Sequence, residues 1–137
     1  KEKSKVIPAL IRRAFEKQDP FVVWGGGKDL KDFLYIDDFI DALLIAMIES
    51  NDGRPINIAS GLPVTINDVL KLILKFSNHE QVKISYDNSK PTMIPKRMID
   101  ISLAKSKLNW RPKTSLESGL SQTIKWFQEF YRNKSLE

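Results

Sequence analysis

Two segments of the chain place cations where they could grip an anionic ligand. Lys31 follows the glycine turn of residues 25–27 and precedes a short apolar run. Arg97 follows the loop bounded by Pro91 and Pro95. An ammonium and a guanidinium both bind phosphate oxygens, the guanidinium through a planar fork of donors. Two such cations on converging loops can clamp a diphosphate, although each by itself is equally typical of a solvated surface.

The glycines themselves do not match a known phosphate-binding loop. Residues 25–27 fit neither G-x-G-x-x-G nor G-x-x-x-x-G-K-[ST], and no helix is predicted directly after them. We expect them to permit positive φ in a tight turn after Trp24, an aromatic side chain that could face a cleft. Asp37 and Asp38 could do acid–base work, but their place just before a predicted helix favours capping.

Residue counts exclude several classes of site. The chain has no cysteine, which rules out a disulfide framework, a cysteine metal site and a cysteine nucleophile, and which fits a cytoplasmic protein. His79, the single histidine, has no partner at metal-ligand spacing and is predicted to lie on the surface. The net charge of +5 suits an anionic ligand. Because the lysines are scattered, without like-charge blocks or aromatic–basic repeats, a nucleotide is favoured over nucleic acid.

Length and hydropathy indicate one globular unit. The chain has 137 residues, 42% hydrophobic and 28% charged, so we treat residues 1–137 as a single lobe. No apolar run reaches the roughly 18 residues that a membrane span needs, and the first residues do not resemble a signal peptide. The final Leu136 and Glu137 are interpreted as a possible vector remnant.

Hydrophobic periodicity predicts a mixed lobe, α/β or α+β, of short strands and helices. Helices are expected at residues 6–17, from Asp37 or Asp38 to 49, after a Thr65–Asp68 capping box, at 102–108, and from Ser115 onward. Strands are expected at residues 21–24, 32–36, 56–59 and 82–86. Trp110 is expected in the core. A complete doubly wound fold opens with a strand, whereas this chain opens with a helix. We therefore expect the apolar face of that helix, Ile7, Leu10 and Ile11, to pack on a missing part.

Several segments carry a family pattern: Val-Ile-Pro-Ala-Leu-Ile-Arg-Arg at 6–13, Val-Val-Trp-Gly with the run to Asp38 at 22–38, Ile-Asn-Ile-Ala-Ser-Gly at 56–61, Ser-Lys-Pro followed by Pro-Lys-Arg at 89–97, and residues 108–120. From Val6 to about Tyr131 the chain resembles the C-terminal, substrate-binding half of an extended short-chain dehydrogenase/reductase. The family is that of the NAD-dependent epimerases/dehydratases. The first, second and fourth segments together favour its GDP-sugar branch, that of the GDP-L-fucose synthases.

The resemblance implies that six residues bind a nucleotide-diphosphate sugar: Val6 and Leu10 at the base, Arg13 and Trp24 along the substrate pocket, and Lys31 and Arg97 at the diphosphate. Two positions depart from the family. Arginine is usual where this chain has Lys31, so the bidentate grip is lost. A cofactor-contacting histidine is usual where it has Lys5.

The catalytic parts of the family lie upstream of the region that this chain resembles. Neither the glycine-rich dinucleotide fingerprint nor the Tyr-x-x-x-Lys pair on a helix occurs here. Tyr86 and Lys90 have the spacing, but at a strand end, and are interpreted as coincidence. The resemblance implies a homodimeric parent enzyme that uses NADP or NAD to epimerise and reduce a 4-keto sugar. This chain alone is expected to contain no catalytic residue, to bind no cofactor or metal, and to be inactive.

Two other interpretations stay open at this point. The parent could be a UDP- or dTDP-sugar epimerase or dehydratase, which differs in nucleotide preference. Alternatively, the chain could be a small basic interaction module without catalytic activity. Saturable binding of a nucleoside diphosphate would exclude the second alternative.

Overall fold

A computed structural model describes residues 5–90 and 94–134. Its elements follow the order α1 (Val6–Phe15), β1 (Phe21–Trp24), β2 (Leu30–Lys31), α2 (Ile36–Glu49), β3 (Val64–Thr65), α3 (Ile66–Phe76), β4 (Ile84–Asp87), α4 (Ser102–Lys107) and α5 (Leu116–Lys134). The expected mixture of helices and short strands is confirmed. The predicted loop of residues 90–95 falls partly outside the described residues.

The first helix is anchored inside this lobe. Leu10, Ile11 and Ala14 are buried, and α1 packs against α3 in the main core. The expectation that this apolar face needs a missing partner is therefore wrong, because α3 and α5 cover it. The helix also ends at Phe15 rather than residue 17. Lys17 takes a left-handed φ of 51° and its Nζ donates to the backbone oxygen of Ser77 at 2.8 Å.

Two small sheets position the loops. β1 pairs in parallel with β4, with Phe21 opposite Ile84 and Trp24 opposite Asp87. β2 pairs antiparallel with β3. The strand predicted at 21–24 is confirmed, and the one predicted at 82–86 lies slightly later along the chain.

Two other predicted strands are wrong. The segment 32–36 leaves its sheet at Asp32, whose carboxylate accepts the backbone N–H groups of Ser60 (2.7 Å) and Gly61 (2.8 Å). Residues 56–59 have a strand-like sequence, but neither sheet of the described chain includes them. A strand requires a neighbour for its backbone hydrogen bonds, and sequence periodicity does not supply one.

The capping prediction for α2 is also wrong, for a tertiary reason. The N-cap is Tyr35, which makes no side-chain cap, and Asp37 and Asp38 lie within the first turn. Asp38 is only 4% exposed, and its Oδ2 accepts the backbone N–H groups of Lys113 (3.2 Å) and Thr114 (2.9 Å). This carboxylate joins α2 to the segment that leads into α5.

The capping box before α3 is confirmed. Thr65 Oγ1 accepts the backbone N–H of Asp68, and the carboxylate of Asp68 accepts the backbone N–H of Thr65. Below this cap, α3 supplies the centre of the main core, between α1, β1 and α5. The buried members of that core are Leu10, Ile11, Ala14, Phe21, Val23, Ile66, Val69, Leu70, Ile73, Leu74, Leu120 and Ile124.

We expect Thr65→Ala to lower the free energy of unfolding by about 1 kcal/mol, because it leaves the backbone N–H of Asp68 without its acceptor. The hydrogen bond from the Thr65 side chain, foremost, holds the pKa of Asp68 below its ordinary value. A carboxylate with a lowered folded pKa stabilises the fold above the unfolded pKa of about 4, and this contribution is lost as the pH falls through the folded pKa. Urea unfolding at several pH values should therefore show the deficit of Thr65→Ala shrinking in acid. Thr65→Ser, which keeps the hydroxyl, is the control, and a deficit that persists unchanged in acid would contradict this account.

A second, smaller core lies under α2. It joins Ala42, Ala104, Leu108 and Trp110, so the predicted core position of Trp110 is confirmed. Ser115 Oγ accepts the backbone N–H of Ser118 at 3.1 Å, as expected of a residue that opens α5. None of the described helices is both long and apolar enough to cross a membrane.

Candidate functional site

The candidate site lies where β1 and β4 end. Because the two strands are parallel, their carboxyl ends meet at one edge, and Gly25 N–H donates to the backbone oxygen of Asp87 there at 2.9 Å. Ligands of open α/β sheets bind at such edges, on the loops that leave the strands. Trp24, the last residue of β1, is 64% exposed at this edge.

The turn that follows β1 is built as the glycine run predicts. Gly25 and Gly27 both have positive φ, 70° and 67°. A Cβ on Gly27 would lie 2.0 Å from Oδ1 of Asn67, and the oxygen of Gly27 accepts the backbone N–H of Asn67 at 2.9 Å. The turn therefore sits directly on the start of α3.

Backbone pairing brings Lys31 and Arg97 onto neighbouring segments. Leu30 N–H donates to Pro95 O at 2.8 Å, Arg97 N–H donates to Leu30 O at 3.1 Å, and Leu30 pairs in parallel with Lys96. The loop bearing Arg97 thus continues the β2–β3 sheet on the other side of β2. Of the six residues named from the resemblance, backbone pairing therefore sets Lys31 and Arg97, which are distant in sequence, on adjacent segments.

The two cations have different surroundings. Lys31 Nζ donates to the backbone oxygen of Ile94 at 2.6 Å and lies 3.8 Å from a carboxylate oxygen of Asp29. Arg97 is exposed, and its guanidinium has no acceptor among the described residues. The backbone oxygen of Ile94 and the carboxylate of Asp29 therefore hold the Lys31 ammonium in place, whereas no contact with the described residues fixes the Arg97 guanidinium.

Positive charge outweighs negative charge around this edge. The segments 25–32 and 87–100 carry five cations, Lys28, Lys31, Lys90, Lys96 and Arg97, against four carboxylates, Asp29, Asp32, Asp87 and Asp100. The hydrogen bonds from Ser89 keep the pKa of Asp87 below its ordinary value, so this carboxylate is ionised at neutral pH. A local excess of cations raises the concentration of an anionic ligand at the surface.

Lys90 and Tyr86 are site residues that the sequence did not single out for binding. Lys90 Nζ lies 5.9 Å from the ring centroid of Trp24, and Tyr86 Oη donates to Asn67 Oδ1 at 3.1 Å. The sequence signal for Lys90 is a cation just after one strand, with the aromatic Trp24 at the end of another. It becomes readable only once the pairing of β1 with β4 is known.

The three residues named on α1 have surroundings different from those of the cation pair. Val6 is exposed at the start of the helix, and Leu10 is buried in the main core. Arg13 uses its guanidinium on the backbone oxygens of Val22 and Ala9 and stacks 5.1 Å from the Phe21 centroid.

Burial, with the neighbouring Arg12 adding to it, lowers the pKa of Arg13. In the structure, the Arg13 side chain joins α1 to β1. Its role in binding a substrate stays a prediction.

Other chemistry finds little support at this edge. His79 is half-buried rather than on the surface, with Nε2 3.0 Å from Gln18 O and its ring near Phe21. Within residues 5–90 and 94–134, no group of three or more His, Asp or Glu could hold a metal. What the edge offers is a group of cationic side chains beside an exposed indole.

Comparison with known proteins extends over almost the whole chain. The family model described as GDP-mannose 4,6 dehydratase matches residues 2–123. GDP-L-fucose synthase 1 of Arabidopsis thaliana is 38% identical over 130 residues, 92% of this chain and 40% of that protein. UDP-N-acetyl-alpha-D-glucosaminuronate decarboxylase of Bacillus cytotoxicus is 35% identical over 129 residues, 90% of this chain and 40% of that protein.

A solved structure has the same fold. The UDP-glucose 4-epimerase of Thermotoga maritima, crystallised with UDP-glucose, superposes with a TM-score of 0.84 at 30% identity, over 99% of this chain and 41% of that one. The chain thus spans about two-fifths of the length of the proteins it matches. Taken together with the mixed α/β fold, these matches show that the chain belongs to the GDP-mannose 4,6-dehydratase family of NAD-dependent epimerases/dehydratases.

Proposed function

We propose that this chain is the substrate-binding lobe of an NAD(P)-dependent epimerase/reductase that acts on a GDP-sugar. Lys31 and Arg97 hold the diphosphate, and Trp24 lines the pocket beside it. The observation that supports the proposal is the pairing of Leu30 with Lys96, which sets the segments bearing Lys31 and Arg97 side by side, after the glycine turn that follows β1. GDP-L-fucose synthase relatives support the choice of GDP.

The lobe contributes binding rather than bond-making. Interactions with the nucleotide end of a substrate hold the sugar at a fixed distance and angle, and such remote binding energy orients the reacting carbon. Val6, which is exposed on α1, would complete the site at the base, with Leu10 supporting it from the core and Arg13 bordering the pocket. We assign no catalytic residue to this chain.

The cofactor and the catalytic pair belong, in this proposal, to the part of the family's length that this chain does not span. The glycine turn does not suit a dinucleotide, because residues 25–27 lead into β2 and not into a helix whose N–H groups would face a pyrophosphate. We therefore assign NADP or NAD, the epimerisation and reduction, and the homodimer contact to the whole enzyme.

The first test is calorimetric titration of this chain with GDP, and with UDP for comparison. We expect saturable GDP binding that becomes about 10-fold weaker in Lys31→Ala and in Arg97→Ala, the usual loss for one charged hydrogen bond. Lys31→Arg should bind at least as well as the native chain, since a guanidinium can grip two phosphate oxygens. Lys125→Ala, which removes an exposed lysine from α5, is the matched control and should change nothing.

A UDP-sugar lobe is the second candidate, since the decarboxylase relative and the matched epimerase structure carry UDP in their names. Tighter binding of UDP than of GDP would select it. Absence of saturable binding of either nucleotide would instead favour a basic interaction module. Equal losses in Lys31→Ala and Lys125→Ala would show that the cations act only through net charge.

A further inference from the structure

The glycine turn after β1 separates two of the proposed ligand contacts. Residues 25–29 join Trp24, at the end of β1, to β2, which contains Lys31. These two side chains belong to different sheets, β1–β4 and β2–β3. Gly25 and Gly27 have positive φ, and glycine leaves the backbone more freedom than any other residue. The separation of the indole from the ammonium therefore depends on how firmly the turn is held.

Backbone hydrogen bonds attach the turn to the start of α3. The oxygen of Gly27 accepts the N–H of Asn67 at 2.9 Å, and the oxygen of Asp29 accepts the N–H of Ile66 at 3.2 Å. Both N–H groups belong to the first turn of the helix, which has no acceptors for them within the helix itself. The glycine turn therefore supplies acceptors to α3, and α3 in return fixes the position of the turn.

The side chain of Asn67 extends this attachment to β4. Its Oδ1 lies 2.0 Å from the position that a Cβ on Gly27 would take, so the amide packs directly against the turn. The same oxygen accepts the hydroxyl of Tyr86 at 3.1 Å. Tyr86 lies opposite Val23 in the parallel pair of β1 and β4. One amide group therefore joins the glycine turn to the strand that leads to Lys90.

We propose that Tyr86 and Asn67 are positioning residues, whose hydrogen bond holds the glycine turn so that Trp24 and Lys31 are correctly spaced for one nucleoside diphosphate. The proposal rests on the proposed function, in which the latter two residues contact the ligand. A loop that already has its binding conformation costs less free energy to order when the ligand arrives. This benefit applies only to a ligand that reaches across the turn from Trp24 to Lys31. A ligand that contacts the cations alone gains nothing from it.

Calorimetric titration of the chain with GDP and with inorganic pyrophosphate tests the proposal. Tyr86→Phe removes only the hydroxyl, and we expect it to weaken GDP binding about 5-fold, the equivalent of one neutral hydrogen bond. Pyrophosphate binding should not change, because Lys31 and Arg97 lie on segments that pair with each other. Equal weakening of both ligands would mean that the whole site has loosened, and unchanged binding of GDP would mean that the hydroxyl positions nothing. Either result would overturn the proposal.

Tyr35→Phe is the matched control. Tyr35 also donates its hydroxyl to a side-chain amide oxygen, that of Gln122 at 3.3 Å, but this pair joins the segment before α2 to α5. The control should bind both ligands as the native chain does. The double variant Tyr86→Phe/Asn67→Ala should bind GDP as well as Asn67→Ala does, because both changes break the same hydrogen bond. Additive losses would contradict the shared role of the two residues.

Amide hydrogen exchange measures the attachment of the turn without a ligand. In Tyr86→Phe, the amides of Ile66 and Asn67 should exchange about 5-fold faster, because their acceptors belong to the turn. The amide of Ser77, at the other end of α3, is the internal reference and should not change. Asn67→Asp, which keeps an oxygen as acceptor for Tyr86, should preserve the native exchange rate at Ile66. Unchanged exchange of both amides in Tyr86→Phe would overturn the proposal.

Together the two measurements separate this inference from the proposed function. Faster exchange in Tyr86→Phe, with no binding of GDP or UDP by the native chain, would overturn the substrate-lobe proposal and reduce the hydrogen bond to a structural contact. GDP binding that is weakened by Lys31→Ala but not by Tyr86→Phe would leave the proposed function standing and overturn the positioning role.

Discussion

Replacing Asp38 by alanine is expected to lower the free energy of unfolding by about 3 kcal/mol. The carboxylate is almost fully buried and accepts the backbone N–H groups of Lys113 and Thr114 through one oxygen. Hydrogen bonds to a charged acceptor contribute about 1.5–3 kcal/mol each, and two partly buried donors would lose theirs together. The segment before α5 would lose its attachment to α2, so α5 should loosen first.

Asp37 is the matched control because it is the adjacent acidic residue of the same helix turn and is exposed. Asp37→Ala should cost only about 0.5 kcal/mol, the usual contribution of a negative charge near a helix N-terminus. Asp38→Asn, which keeps one oxygen acceptor, should fall between the two. Urea unfolding of the three variants provides the ranking. Equal costs for Asp37→Ala and Asp38→Ala would mean that both residues act only through the helix dipole.

Gly27→Ala is expected to destabilise the chain by about 2–3 kcal/mol, the second largest effect. Its φ of 67° is left-handed, which costs a residue with a Cβ roughly 1–2 kcal/mol. The new methyl group would also meet the amide of Asn67, whose Oδ1 accepts the hydroxyl of Tyr86. Moving that amide would break the hydrogen bond, worth about 1 kcal/mol.

Two other glycines separate the two causes. Gly53 has a φ of 68° with open space around it, so Gly53→Ala reports the backbone strain alone. Gly26 lies within the same turn, without a positive φ and with nothing near its Cβ position, so Gly26→Ala should be nearly neutral. Thermal or urea unfolding of the three variants is the measurement. If Gly27→Ala costs no more than Gly53→Ala, Asn67 moves aside freely and the contact contributes nothing.

Local signals predicted some elements well because the atoms involved are close in sequence. The Thr65–Asp68 capping box needs only a hydroxyl and a carboxylate three residues apart, and it is present. The strand at Phe21–Trp24 and the turn glycines after it also follow from local sterics. The same holds for Ser115 at the start of α5.

Predictions that depended on a distant partner were less successful. The spacing of Asp38 is that of a cap, yet its hydrogen-bond partners lie 75 and 76 residues away. Asp32 lies in a strand-like run, but its carboxylate accepts the backbone N–H groups of Ser60 and Gly61. The apolar face of α1 was expected to lack a partner, whereas α2 is the helix that exposes one.

The sequence by itself determined the family, the helix face of α1, the cap of α3 and the two cationic segments. Each of these features depends on residues that are neighbours along the chain. Only the tertiary structure decided that Lys31 and Arg97 lie on paired segments, that Lys90 approaches Trp24, and that Asp38 is a buried tether. Only it showed that residues 56–59 have no strand partner in the described chain. The physical reason is common to all four. Backbone pairing and burial depend on which distant segments meet, and periodicity along the chain does not encode that meeting.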